Sequence, residues 1–192
     1  MPQQGMTEGE PQDGQRTSAA PAAPARQAAL GRLLAAHEGY FDVQRDHAFA
    51  GRVFPGYAEF HSEASQYVLA KRAKLWEANA HEYLFFLLAD RLDAARYADA
   101  VAFMTGDALA KVDLVPNHMT SYLSLVVIAD AVDEDVRRAV RRERFHKDFR
   151  WGLRGWADLR VAVVDLSDSS ITTNAMGKDL RATLEANAFD RA

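Results

Sequence analysis

The densest group of side chains that could bind a ligand lies in the second half of the chain. Residues 137–154 hold eight arginine and lysine residues against two acids, Glu143 and Asp148, which gives this segment a net charge of +6. The whole chain carries −4, so the remainder carries −10. Guanidinium groups bind phosphates and carboxylates through charge-assisted hydrogen bonds. The segment therefore predicts a basic surface for an anionic partner, either a nucleic acid or an acidic protein.

Aromatic residues are interleaved with these charges and leave two interpretations open. Phe149, Trp151 and Leu153 alternate with Arg150 and Arg154, which is the period of a strand. Exposed rings could stack on bases, but the alternation favours rings that point into the core and arginines that point outward. Arginines in the last turn of a helix also complement its dipole, so the same segment is explained by a structural role alone.

The residues that we expect to form the contact surface share a positive charge and a predicted exposed position. One group lies in the segment above, and a second lies in a predicted strand, where charges occupy a solvated face or a sheet edge. The sequence leaves open whether the two groups form one continuous patch. The set is Lys71, Arg72, Lys74, Arg138, Arg141, Arg142, Arg150 and Arg154.

A catalytic alternative comes from a loose resemblance in the predicted order of elements. That order resembles the αβββαβ core of restriction-endonuclease-like folds, whose PD-(D/E)xK nucleases hold a metal with an acid and an acid-x-Lys pair on adjacent strands. The resemblance implies a metal-dependent nuclease-like enzyme, with acids drawn from Glu59, Glu77, Glu82 or Asp158. The chain departs from the pattern, because the triplet Asp158-Leu-Arg160 ends in arginine, which stays charged and cannot exchange protons.

Histidines and nucleophiles give no further motif. None of the six histidines has the helical spacing of metal ligands, although Glu59 and His61 share a strand face and could meet Glu77 or His81 across a suitable pairing. The chain has neither G-x-S-x-G nor a glycine-rich phosphate loop. We therefore assign no catalytic residue, metal or cofactor, and whether the protein is an enzyme stays open.

The elements that must position these residues alternate between helical and strand-like patterns. Three antiparallel strands are expected first, and the two later strand–helix–strand connections imply locally parallel pairs. We expect an α+β fold, a single domain with a mixed, largely antiparallel central sheet of about six strands covered by helices. The pattern predicts helices that begin at 27 and span 93–112, 133–144 and 177–189, and strands at 57–62, 66–77, 81–90, 118–130, 149–154, 156–166 and 171–174.

Composition limits the class of protein. Residues 1–26 are rich in Ala, Pro and Gln, which predicts a disordered tail and leaves 27–192 as the single domain. The chain is 48% hydrophobic, enough for a sizeable core, and it has no cysteine, which excludes disulfides and thiolate sites. Its longest strictly apolar run is far shorter than the roughly 20 residues of a membrane span. We expect a cytoplasmic protein with no membrane span.

Three stretches carry a family resemblance: "FHSEASQYVLAKRAKLWEANAHEYLFF", "HMTSYLSLVVIAD" and "GLRGWADLRVAVVDLSDSSITTNAMGKDLR". Together they resemble an uncharacterised bacterial family, a domain of unknown function, over about residues 57–182. The resemblance implies a bacterial cytoplasmic protein of a single domain. It brings no activity, cofactor or catalytic residue.

Overall fold

The structure, a computed structural model, describes residues 24–61, 80–112, 120–150 and 155–190. These ranges contain four α-helices and seven strands, with a 3₁₀ helix at Asp107–Lys111 and another at Met176–Leu180. In chain order they are α1 (Ala25–His37), β1 (Asp42–Phe49), β2 (Arg52–His61), β3 (Ala80–Leu92), α2 (Ala94–Thr105), β4 (Thr120–Val132), α3 (Glu134–Arg142), β5 (His146–Asp148), β6 (Trp156–Asp165), β7 (Ser170–Thr173) and α4 (Arg181–Asn187).

The strands form one mixed sheet in the order β1-β2-β3-β4-β6, and β5 and β7 both pair with β6. Four pairings are antiparallel, namely β1 with β2, β2 with β3, β5 with β6 and β6 with β7. The pairs β3–β4 and β4–β6 are parallel, as the two predicted strand–helix–strand connections require. The predicted α+β fold with a mixed, largely antiparallel sheet is therefore confirmed.

Helices cover both faces of this sheet, because β3, β4 and β6 carry apolar side chains on both sides of the pleat. One face packs against α2 and α3 and includes Phe85, Leu125 and Val161. The other face packs against α1 and α4 and includes Phe86 and Val126. Because side chains alternate along a strand, the position of a residue in β3, β4 or β6 decides which of these two faces it joins.

Helix α1 lies very close to β2, and a glycine permits this approach. A Cβ placed at Gly56 would lie 2.9 Å from Leu30 Cδ1 and 3.0 Å from Leu34 Cδ2, both on α1. The leucine stripe predicted for this helix is buried, with Leu33 also fully enclosed. The predicted start of the helix at residue 27 is two residues late, since α1 begins at Ala25.

The first hairpin does not turn at Pro55-Gly56, although this dipeptide is an ordinary turn signal. The turn is Ala50-Gly51, where both residues have positive φ, +49° and +75°, as a two-residue hairpin loop requires. Pro55 lies inside β2, at a point where β3 no longer pairs with it, because that ladder begins at Gly56. A proline lacks the N–H group of a ladder bond, so this position accommodates it.

The predicted strand pairing and one predicted strand boundary need correction. The antiparallel trio is β1, β2 and β3, and β2 pairs directly with β3, whereas the sequence placed a strand at 66–77 between them. Residues 66–77 lie outside the described residues. The strand predicted at 149–154 is wrong in its first two residues, because β5 ends at Asp148 and a turn follows at Arg150 with φ +48°, and residues 151–154 lie outside the described residues. In the described part of the chain, no helix combines the length and the apolar character that crossing a membrane requires.

Candidate functional site

Helix α3 carries the core of the predicted basic surface. Acids occupy its first turn and arginines its last, the order that matches the helix dipole. Its narrow apolar stripe is buried, with Val136 and Val140 both at 0% exposure. The opposite side of the helix is therefore solvated, and Arg138, Arg141 and Arg142 on it are exposed.

Four arginines on or just after α3 are exposed, and we name them the α3 surface: Arg138, Arg141, Arg142 and Arg144. The guanidinium groups of Arg138 and Arg141 lie 3.8 Å and 3.9 Å from the same carboxylate oxygen of Glu134. Exposed pairs of this kind contribute little to stability, about 0–1 kcal/mol. Arg142 makes no ion pair with any described residue. One carboxylate thus faces two guanidinium groups, and the α3 surface keeps a net positive charge.

Arg137, the first arginine of the same helix, is neutralised. Its guanidinium donates to Asp165 at 2.6 Å, to Asp168 at 2.7 Å and to the Ser170 hydroxyl at 2.7 Å. Burial lowers the pKa of Arg137, but the hydrogen bond to Asp168 and the charges of Asp165, Asp168 and Glu134 raise it overall. Arg137 therefore stabilises the fold and is not part of the α3 surface.

The rings of this region pack inward, as the alternation predicted for the segment. Phe145 and Phe149 are half-buried and contact the core beneath α2 and α3. Trp156 is half-buried, with its ring 6.4 Å from the ring of His146. Trp151 lies outside the described residues. Phe145 and Phe149 consequently offer no free stacking platform beside the arginines.

His146 occupies the edge of the sheet next to this region, between two carboxylates. Its Nδ1 lies 2.7 Å from Asp158 Oδ1 and its Nε2 lies 3.4 Å from Asp148 Oδ1. The hydrogen bond to Asp158 and the nearby negative charges raise the pKa of His146. A proton on this ring would be balanced by the two acids, so His146 adds no net charge to the α3 surface.

The other predicted contact residues have mixed outcomes. Arg138, Arg141 and Arg142 lie on one helix, and Arg150 is exposed in the turn after β5. Lys71, Arg72, Lys74 and Arg154 lie outside the described residues. A patch that joins both basic groups stays a prediction.

Glu59, one of the acids of the nuclease alternative, meets two histidines at the ends of β2 and β3. The strand register places His61 opposite His81, and their ring centroids are 4.7 Å apart. Glu59 Oε1 lies 3.9 Å from His61 Nε2. Glu77 is outside the described residues. The shared strand face predicts that Glu59 and His61 could meet His81, and the antiparallel pairing of β2 and β3 places these three residues together.

Further side chains complete this cluster. The Tyr57 hydroxyl donates to Glu59 Oε2 at 2.6 Å, and Lys111 Nζ lies 3.6 Å from the same oxygen. Burial raises the pKa of Tyr57 well above its ordinary value, and the bond to Glu59 adds to this. Burial also acts to raise the pKa of Glu59, but the Tyr57 hydroxyl and the Lys111 charge lower it overall.

His47, which is half-buried on β1, also contacts this cluster. Its ring stacks on Tyr57 with a centroid distance of 4.0 Å, and burial together with the Lys111 charge lowers its pKa. Tyr57, Lys111 and His47 were not predicted as members of this cluster. His47 and Phe49 are two residues apart and therefore lie on the same face of β1. This spacing could have indicated the cluster, but no strand was predicted at β1.

The acids of the nuclease alternative do not gather in one place. Glu59 lies on the sheet face beneath α2 and α3, whereas Glu82 and Asp158 lie on the face beneath α1 and α4. Asp158 is bonded to His146. The described residues contain no group of three or more His, Asp or Glu side chains arranged to hold a metal ion.

Comparison with known proteins gives a family and no activity. The family model described as Domain of unknown function (DUF8052) matches residues 25–186. No curated protein and no solved structure was found to match the chain. The match extends the expected range of resemblance to include α1 and nearly all of α4.

Proposed function

The chain belongs to the family of the domain of unknown function DUF8052, and we propose that it is a binding module whose α3 surface contacts the phosphates of a nucleic acid. A module of this kind needs positive side chains that project from a rigid element and stay uncompensated. Arg142 has both properties, and Arg138 and Arg141 share a single carboxylate, so the α3 surface keeps an excess of positive charge. This proposal assigns the chain a partner class and no reaction.

The observation that carries the proposal is the contrast in charge compensation along one helix. Arg137 donates hydrogen bonds to three side-chain oxygens, while Arg141 and Arg142 are exposed to solvent. Residues three and four apart on a helix are neighbours, with Cβ atoms about 5–6 Å apart. Arg138, Arg141 and Arg142 therefore form one compact group of positive charge.

Phosphates fit this surface better than bases do. Base recognition in single strands needs exposed aromatic rings, and the described rings near α3 pack against the core. Arginine binds phosphate oxygens through its planar fork without any ring. We therefore expect binding that is independent of sequence and strongly dependent on salt.

The test measures binding of the full chain to fluorescent mixed-sequence DNA and RNA across a series of salt concentrations that starts at about 50 mM. The double variant Arg141→Gln/Arg142→Gln removes two charges from the α3 surface. Arg45→Gln/Lys178→Gln removes two exposed charges elsewhere and serves as the matched control. We expect the α3 variant to lose about two units of the salt slope and the control variant to keep the wild-type slope.

Three outcomes contradict this function. The first is the absence of binding at the lowest salt concentration, and the second is an affinity that salt does not change. The third is an equal loss in both double variants, which would indicate bulk charge in place of a defined surface. Tighter binding to polyglutamate than to nucleic acid would reassign the α3 surface to an acidic protein partner.

A further inference from the structure

A cleft lies on the sheet face opposite α3, between the end of α1 and the 3₁₀ helix that leads into α4. Its volume is about 360 Å³, at the small end of ligand pockets, which span about 300–1,000 Å³. None of its lining residues belongs to α3. They are Ala36, His37, Tyr40, Phe41, Glu82, Leu84, Val126, Arg160, Asp179, Leu180, Thr183 and Leu184.

The floor of the cleft is a polar group set in an apolar surface. Glu82 on β3 and Arg160 on β6 reach each other across Ser124 on β4, because the two parallel ladders place them one row apart. Glu82 Oε1 accepts the Ser124 hydroxyl at 2.6 Å and Arg160 at 3.2 Å. Both bonds are made by one oxygen. The second oxygen, Oε2, makes no hydrogen bond to a described residue.

Arg160 is held in place by an aromatic ring and its charge is balanced by two acids, although its Nε atom makes no hydrogen bond to a described residue. Its guanidinium carbon lies 3.5 Å from the centroid of the Tyr122 ring, and its NH2 lies 3.5 Å from Asp179 Oδ2. The side chains of Arg160 and Glu82 are only 11% and 14% exposed. Two carboxylates therefore face one guanidinium, and the cleft carries a net negative charge.

The walls supply apolar and aromatic contacts around this charge. Leu84, Val126, Leu180 and Leu184 are buried core residues at the base of the cleft. Tyr40 lies at its rim with 70% of its surface exposed. A cleft that is lined by both an exposed aromatic ring and a partly desolvated carboxylate is suited to a cation, because the ring face attracts positive charge.

We propose that this cleft binds a small organic ammonium ion with an apolar body. The ammonium group donates to Glu82 Oε2 and approaches Asp179, and the apolar body covers Leu84 and Val126. A carboxylate or phosphate ligand is disfavoured here, because Arg160 is already compensated and two acids would repel it. The cleft is independent of the α3 surface, so either proposal can fail without the other.

The experiment titrates the isotopically labelled full chain with three ligands of matched shape and follows amide shifts by NMR. The ligands are 2-phenylethylamine, which is cationic at neutral pH, 3-phenylpropionate and 2-phenylethanol. We expect shifts at the cleft residues with the amine, and binding of the acid and the alcohol weaker by about tenfold or more. Equal or tighter binding of 3-phenylpropionate overturns the proposal, as does an amine that causes no shift in the cleft.

Two variants locate the binding. Glu82→Gln keeps the shape and the acceptor for Ser124 but removes the charge, and we expect about tenfold weaker amine binding. Glu185→Gln makes the same change on the exposed side of α4 outside the cleft and leaves binding unchanged. Thr183→Phe fills the cleft from its wall and abolishes binding without touching the acid. Amine binding that survives both Glu82→Gln and Thr183→Phe would place the ammonium elsewhere and refute the assignment.

Discussion

Two buried arginine–carboxylate groups lie at opposite ends of the parallel strands, and they differ in how completely they are satisfied. At the carboxyl end, Asp165 accepts from Arg137, from the Val132 and Ser167 amides and from the Ser167 hydroxyl, at 2.6–3.0 Å. Its side chain is 3% exposed. We call this group, together with Asp168 and Ser170, the Arg137 cluster, and both oxygens of its Asp165 carboxylate accept hydrogen bonds.

At the amino end, the Glu82–Arg160 pair is looser and opens onto the cleft. Its ion-pair distances are 3.2 Å and 3.5 Å. The Arg160 Nε atom is buried with no hydrogen-bond partner among the described residues. A buried charge is costly unless neighbouring groups satisfy it. The difference indicates that the Arg137 cluster serves the fold, whereas the Glu82–Arg160 pair keeps capacity for a ligand.

The largest expected effect comes from the Arg137 cluster. Asp165→Ala leaves the Arg137 guanidinium with one fewer partner and strands the Val132 amide, both in a region of low exposure. We expect the free energy of unfolding to fall by about 3–5 kcal/mol, measured by chemical denaturation followed by circular dichroism. A loss below about 1 kcal/mol would show that this cluster is no tighter than a surface pair.

The next effect tests the wall of the cleft. Gly177 lies in the 3₁₀ helix that carries Asp179, and a Cβ there would collide with the carbonyl oxygen of Val161 on β6. We expect Gly177→Ala to cost about 1–3 kcal/mol and to displace the cleft wall. Gly31→Ala on α1, where a Cβ meets no atom within 4 Å, is the control and should stabilise the protein. Equal effects of the two variants would contradict the close packing of this wall.

A smaller effect is expected for the open pair itself. Glu82→Gln keeps an oxygen that accepts from Ser124 and Arg160, in a group that borders the cleft. We expect a change of at most about 1 kcal/mol in the free energy of unfolding, by the same denaturation measurement. A loss as large as that of Asp165→Ala would make the two groups equivalent and remove the contrast between them.

The smallest effect is a pH dependence at the exposed rim of the Arg137 cluster. Hydrogen bonds from Ser170 and Arg137 hold the pKa of Asp168 below its ordinary value of 3.8. The carboxylate therefore contributes stability above pH 3.8, and this contribution is lost as the pH falls through the lower pKa of the folded state. Thermal unfolding of the wild type and Asp168→Asn should differ slightly at neutral pH and converge in acid. A difference that grows in acid would reverse the sign of the coupling.

Much of the fold was predictable because its signals are local. The buried run of β3 and the polar order of α3 are properties of short segments, and both appear as expected. The hairpin of β1 and β2 was not predicted, because β1 is a mostly exposed edge strand without a clear alternation. Its turn residues, Ala50-Gly51, are also a weaker turn signal than Pro55-Gly56, which lies within β2.

The candidate sites were predictable only in part. The sequence indicated Arg138, Arg141 and Arg142 because helical spacing gathers them without help from the rest of the chain. It treated Arg160 as a poor substitute for lysine in a nuclease triplet, whereas the structure pairs it with Glu82, 78 residues away. That pairing depends on the register of two parallel ladders, which residue spacing along the chain does not specify.

Local order therefore settled where the helices, the buried strands and the positive charges of α3 lie, because hydrophobic periodicity and helix polarity act over one or two turns. The tertiary structure decided which arginine side chains remain free to contact a partner. Arg137 and Arg138 are adjacent and chemically identical, yet Asp165 and Asp168 neutralise only the first. Hydrogen bonds and Coulomb attraction depend on distance in space, and the partners of Arg137 and Arg160 come from other strands and loops of the chain.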